Sequence, residues 1–171
     1  MDMTLAGTAL LMTLLGLAAW QDIRRFRISN VLTLGGAGAA LVLSLLPGGH
    51  GPAWSLLGLT LGFLCLLPFY ALGVMGAGDV KLLAMAGAFT GPAGAVAIAL
   101  YTLLAGGLMA LAVAVGKGRL QQALRNVQAM TVPCLASDGT PATATPVSAG
   151  RLPYGVAILL GSLAWWWGAA A

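Results

Sequence analysis

Hydrophobic residues run along this chain in long uncharged blocks, separated by short polar or glycine- and proline-rich breaks. Residues 3–20 carry no charge and end at Gln21-Asp22. Residues 31–46 form a second run, closed by Pro47-Gly48-Gly49, and residues 54–74 a third, reaching Gly76-Ala77-Gly78. A fourth, 80–90, meets Gly91-Pro92 after 11 residues; 93–115 is a fifth and 152–167 a sixth. A helix needs about 20 apolar residues, at about 1.5 Å each, to cross the hydrocarbon of a bilayer. The pattern predicts an all-α fold, a polytopic membrane helix bundle of about six transmembrane segments. The fourth is short, only ~16 Å as a helix, and is expected to be surrounded by protein, where a break at Gly91-Pro92 is tolerated.

Composition agrees. The chain is 60% hydrophobic and 7% charged, with a mean hydropathy of +0.96, against about 25% charged residues in soluble domains. This excludes a disordered chain and a soluble enzyme. The eight basic residues outnumber the four acids, giving a net charge of +4, but they form no dense run, so no nucleic-acid partner is expected. Arg24, Arg25 and Arg27 follow the first run, Lys81 opens the fourth, and Lys117, Arg119, Arg125 and Arg151 lie between the fifth and sixth. All fall on odd-numbered loops or their edges. By the positive-inside rule those loops are cytoplasmic and both termini lie outside. Because its basic residues follow the apolar run, the first segment reads as a span and not as a cleaved signal peptide.

Residues 1–171 read as a single membrane-embedded domain with a cytoplasmic excursion at about 116–151. Within it, 117–130 has the pattern of an amphipathic helix on the inner leaflet and 131–150 that of a flexible connection. Trp54 and Trp165-Trp166-Trp167 fall near predicted outer ends, as an aromatic belt does. Gly58-x-x-x-Gly62 and the Gly35 to Ala40 stretch permit close helix approach.

The residues able to carry chemistry are few. Cys65, Cys134 and His50 are too few and too scattered for a structural zinc site of about four ligands, and neither a metal nor another cofactor is expected. Of the acids, Asp2 is terminal and Asp138 lies in the flexible connection, so both read as solvated. Asp22 and Asp79 each lie at the cytoplasmic edge of a predicted span. A carboxylate near hydrocarbon costs a few kcal/mol or more, which makes both functional candidates. The structural alternative for Asp22 is a pairing with Arg24 or Arg25. Gly76 and Gly78 precede Asp79 and free the backbone to end one element and present the carboxylate at the mouth of the next. A phosphate-binding loop is opposed by the acid itself and by the absence of P-loop spacing.

Gly76-x-Gly78-Asp79-x-Lys81 resembles the GxGD motif of the type IV prepilin peptidase family, polytopic aspartic proteases of the membrane. Asp22 to Asn30 resembles that family's other aspartate segment, in which an Asp is followed by Ile, Pro or Ser, and Asn; Ser29 stands where many relatives have Pro. Arg151-Leu152-Pro153-Tyr154-Gly155 is similar to the Pro-aromatic/Gly element that opens the family's last helix. The likeness extends from Asp22 to about Gly161, and the small size looks most like the peptidase-only branch serving Tad or Flp-type pili. The cysteine-rich segment of larger, N-methylating members is missing, so methyl transfer is not carried over. The resemblance implies Asp22 and Asp79 as catalytic residues, supported by Gly76, Gly78, Lys81 and Asn30. It also implies a prepilin or pseudopilin substrate, with a short basic leader before an apolar helix, cut at the cytoplasmic face of the bacterial inner membrane next to a leader Gly. The loop arginines are expected to contact membrane lipids, and Lys81 to give structural support. The oligomeric state is left open by the sequence.

Two carboxylates a few ångströms apart share a proton and titrate as a unit. One activates water while the other protonates the scissile carbonyl and then the leaving amine. Two other classes fit the same inventory: a small proton- or cation-coupled transport subunit using Asp22 and Asp79, and a scaffold without chemistry. A relay calls for acids at several depths, including the midplane, whereas both candidates sit at one edge.

Overall fold

The computed structural model describes residues 5–116, 118 and 153–170, and all regular structure among them is helical. The elements are α1 (Leu5–Arg25), α2 (Asn30–Leu45), α3 (Pro52–Ala71), α4 (Ala77–Gly116) and α5 (Tyr154–Ala170). Asp2, Asp138, Cys134 and the basic residues Lys117, Arg119, Arg125 and Arg151 lie outside the described residues, as do the expected amphipathic helix and connection. The chain divides into one unit of residues 1–106 and 153–171 and a second of 107–152. What is described of the second is the end of α4 and Gly118.

Among the described residues, five helices therefore stand where six segments were expected. Three of them, spanning Ala6–Arg25, Pro52–Ala71 and Ala77–Gly116, are long and apolar enough to cross a membrane. α2 and α5, at 16 and 17 residues, would rise only ~24–26 Å, so six full spans are not supported. The reason lies at Gly91-Pro92, which kinks the helical path without opening a loop. Gly91 alone is non-helical (φ 72°, ψ −173°), and Pro92 follows at the start of the next helical stretch, where its missing N–H costs least. The expected fourth and fifth runs thus meet directly at a kink, as two helical stretches with Gly91 between them.

The bend is supported from α3. The break at Gly91 leaves the carbonyl of Ala88, in the last turn before it, without a helical donor. The Ser55 hydroxyl donates to that oxygen at 2.7 Å, in a fully buried position, so a neighbouring helix satisfies the freed group. The Trp54 ring occupies the space a side chain on Gly91 would need. Gly58 and Gly62 let α3 approach this closely: a Cβ on Gly58 would overlap the carbonyl oxygen of Gly87, and one on Gly62 would lie 2.7 Å from that of Leu83. The Gly58-x-x-x-Gly62 expectation holds. In the Gly35 to Ala40 stretch, Gly36 is packed against Met85 and Leu14, whereas Gly35 and Gly38 face open space.

The core is a seam of apolar side chains from several helices. α1 contributes Leu11, Leu15 and Ala18, α3 Leu66, α4 Val80, Leu82, Leu83 and Met85, and α5 Ile158. α1 packs on α5 and α2, and α2 on α3. The outward faces are also apolar, with Val31, Leu34, Leu45 and Leu104 exposed. A surface of that kind suits hydrocarbon and not water. The chain is a membrane protein.

Candidate active site

Asp22 continues the buried stripe of α1. Leu11, Leu15, Ala18 and Asp22 recur at intervals of four, three and four, so all lie on one helical face. The carboxylate is consequently turned inward, and Asp22 is only 6% exposed. The helix does not stop at the charge, as the sequence pattern suggested, but runs three residues further to Arg25. Arg24 and Arg25 in its last turn complement the helix dipole there. Arg24 lies over the ring of Trp20, 4.6 Å from its centroid. The bonded partner of the Asp22 carboxylate is instead the backbone N–H of Gly155, 2.8 Å from Oδ2. Gly155 is in the first turn of α5, where backbone N–H groups lack helical acceptors.

Asp79 is placed by the end of one helix and the start of the next. α3 closes in a Schellman turn: Gly73, at φ 71°, donates to the carbonyl of Tyr70 at 2.9 Å, and Val74 donates to that of Phe69 at 2.9 Å. Met75 is then buried in the core, which brings Gly76 to the N-cap of α4. Asp79 is the third residue of that helix, and its Oδ2 accepts from the Gly76 N–H at 3.2 Å. This is the reach-back half of a capping box. Gly78 packs under Ile28, with only 3.3 Å between the Ile28 Cβ and the place a Cβ on Gly78 would occupy.

Both carboxylates open onto one cleft of about 1190 Å³, and their charges are close enough to interact. Asn30, Gly76, Gly78 and Lys81 line the same cleft, so all six residues singled out in the sequence come together. Lys81 Nζ donates to Asn30 Oδ1 at 3.0 Å. The cleft exceeds the roughly 300–1,000 Å³ of small-molecule pockets. Arg24, Arg25 and Arg27 stand on its rim.

Sequence reasoning missed three participants. Gly155 acts through a backbone N–H, which leaves no side-chain signature; the similarity of its Pro-Tyr-Gly segment was the only signal. Tyr154 lies within electrostatic reach of Asp79. Gln21 accepts at Oε1 from the N–H of Ser29, 3.1 Å away, and nothing in the pattern pointed to it. His50 stacks on Trp54, ring centroids 4.4 Å apart, beside a separate cavity of about 130 Å³ lined by Gly7, Ser44 and Phe89. It takes no part in the cleft.

A family model described as the type IV leader peptidase family matches residues 9–111, a stretch containing both Asp22 and Asp79. No curated protein and no solved structure matches the chain.

Proposed function

Because the chain belongs to the type IV leader peptidase family, we propose that it is an aspartic endopeptidase in which Asp22 and Asp79 form the catalytic pair. The supporting observation is that these two carboxylates, 6% and 8% exposed, face one cleft, each fixed by a backbone N–H. One ionised carboxylate takes a proton from water as its oxygen attacks the scissile carbonyl. The protonated partner donates to the carbonyl oxygen; as the tetrahedral species collapses, its hydroxyl returns that proton to the partner, and the carboxyl that took the proton from water passes it to the departing amine. A peptide that fills the cleft displaces water from it and so strengthens each of these contacts.

The substrate is a prepilin or pseudopilin of the Tad or Flp class, cut between a short basic leader and an apolar helix. The site opens to the cytoplasm at the inner membrane. The basic rim of Arg24, Arg25, Arg27 and Lys81 supports this sidedness. The test is cleavage of a prepilin substrate by the full-length protein in lipid vesicles. Asp22→Asn and Asp79→Asn each abolish cleavage while the protein still inserts and folds. Full cleavage by either variant overturns the pair.

A further inference from the structure

Where the linker between α1 and α2 enters α2, it is tied to both helices that carry the aspartates. Gln21, the residue before Asp22, accepts the N–H of Ser29, the last linker residue. The next residue, Asn30, accepts from Lys81, two residues after Asp79. Just before them Ile28 sits over Gly78, next to Asp79 in the chain. The linker departs from α1 at Phe26, a non-glycine residue at φ 48° whose N–H still bonds the carbonyl of Asp22 at 2.8 Å. A left-handed conformation at such a residue persists only where its surroundings over-determine it.

We infer that Gln21, Asn30 and Lys81 are positioning residues: they strap the linker across α1 and α4 and so fix how the carboxylates of Asp22 and Asp79 face each other. The inference rests on the peptidase reading above. The two strap bonds are solvent-exposed, and exposed bonds contribute little to global stability. Their loss is therefore expected in the chemistry and not in the fold. Small displacements of reacting groups, of about 1 Å, lower rates by as much as a hundredfold.

The experiment uses full-length protein in vesicles with a prepilin substrate. Gln21→Leu, Asn30→Leu and Lys81→Met are compared with Gln21→Glu, Asn30→Asp and Lys81→Arg, which keep the acceptor or donor. The apolar variants lose on the order of tenfold in kcat with KM nearly unchanged, and the conservative variants recover most of it. Asn30→Leu combined with Lys81→Met is no worse than the poorer single change. Wild-type kcat in the apolar variants, a loss confined to KM, or conservative variants as poor as apolar ones overturns the strap. A second arm needs no catalysis: Asp22→Cys with Asp79→Cys, in a Cys65→Ala, Cys134→Ala background, is cross-linked by a short bis-thiol reagent. Cross-linking slows when Gln21→Leu or Lys81→Met is added, and an unchanged rate overturns the strap. Cleavage by Asp22→Asn would sink the peptidase reading alone and leave the cross-linking arm to decide the inference.

Discussion

A methyl group at position 155 is the smallest change that reaches the candidate pair. An added Cβ there would sit 3.0 Å from Asp22 Oδ2 and 3.1 Å from Asp22 Cβ, tighter than ordinary van der Waals contact, so the carboxylate has to give way. Alanine favours a helix over glycine by roughly 1 kcal/mol, which separates the two effects. Gly155→Ala is expected to leave the unfolding temperature in detergent unchanged or raised while kcat falls about tenfold. Wild-type kinetics in that variant would mean that the N–H does not set the position of Asp22. At this scale the sequence was informative wherever a side chain carries charge. Asp22 and Asp79 stand out because a carboxylate in an apolar chain is costly. The N–H groups of Gly155 and Gly76 are common to almost every residue, and only folding decides which of them meets an acid.

The joint between α3 and α4 depends on a break in one helix and a serine in the other. With the helical path broken at Gly91, Ser55→Ala leaves the buried Ala88 carbonyl without that partner, at a cost of about 1–3 kcal/mol. Thermal unfolding of the Ser55→Ala protein in detergent checks this; an unchanged unfolding temperature would show that the hydroxyl does not support the bend. Gly58→Ala drives a methyl group into the Gly87 carbonyl and is expected to cost about 1–3 kcal/mol in the same measurement. The glycine pair at 58 and 62 was legible because small residues four apart mark a close crossing. The run count was not legible. Gly91-Pro92 resembles a loop in one dimension; in the fold it is a kink, and the Ala88 carbonyl just before it is met by a hydroxyl 33 residues earlier.

The two cavities lie at opposite ends of the bundle. Asp22 is near the C-terminal end of α1, whereas Gly7, at its start, lines the smaller cavity with Ser44 and His50; fifteen residues of helix separate the two levels by ~22 Å. With the cleft cytoplasmic, Arg27→Cys is expected to react with a membrane-impermeant maleimide only in inverted vesicles, and His50→Cys only in right-side-out ones. The background for both is Cys65→Ala, Cys134→Ala, and reaction of both from one side would reverse the topology. Charge placement carries an expectation of sidedness but says nothing of which helices cross fully, because α2 and α5 are short in a way only their observed ends reveal. The bond from Gly155 to Asp22 joins residues 133 apart in the chain, and this has a bearing on synthesis. A ribosome releases both acids long before α5, so a nascent chain stopped short of position 153 carries its full complement of carboxylates with the first still unanchored. The last helix to emerge is thus the one whose N–H reaches the earlier of the two acids, and a truncated product enters the membrane without that clasp.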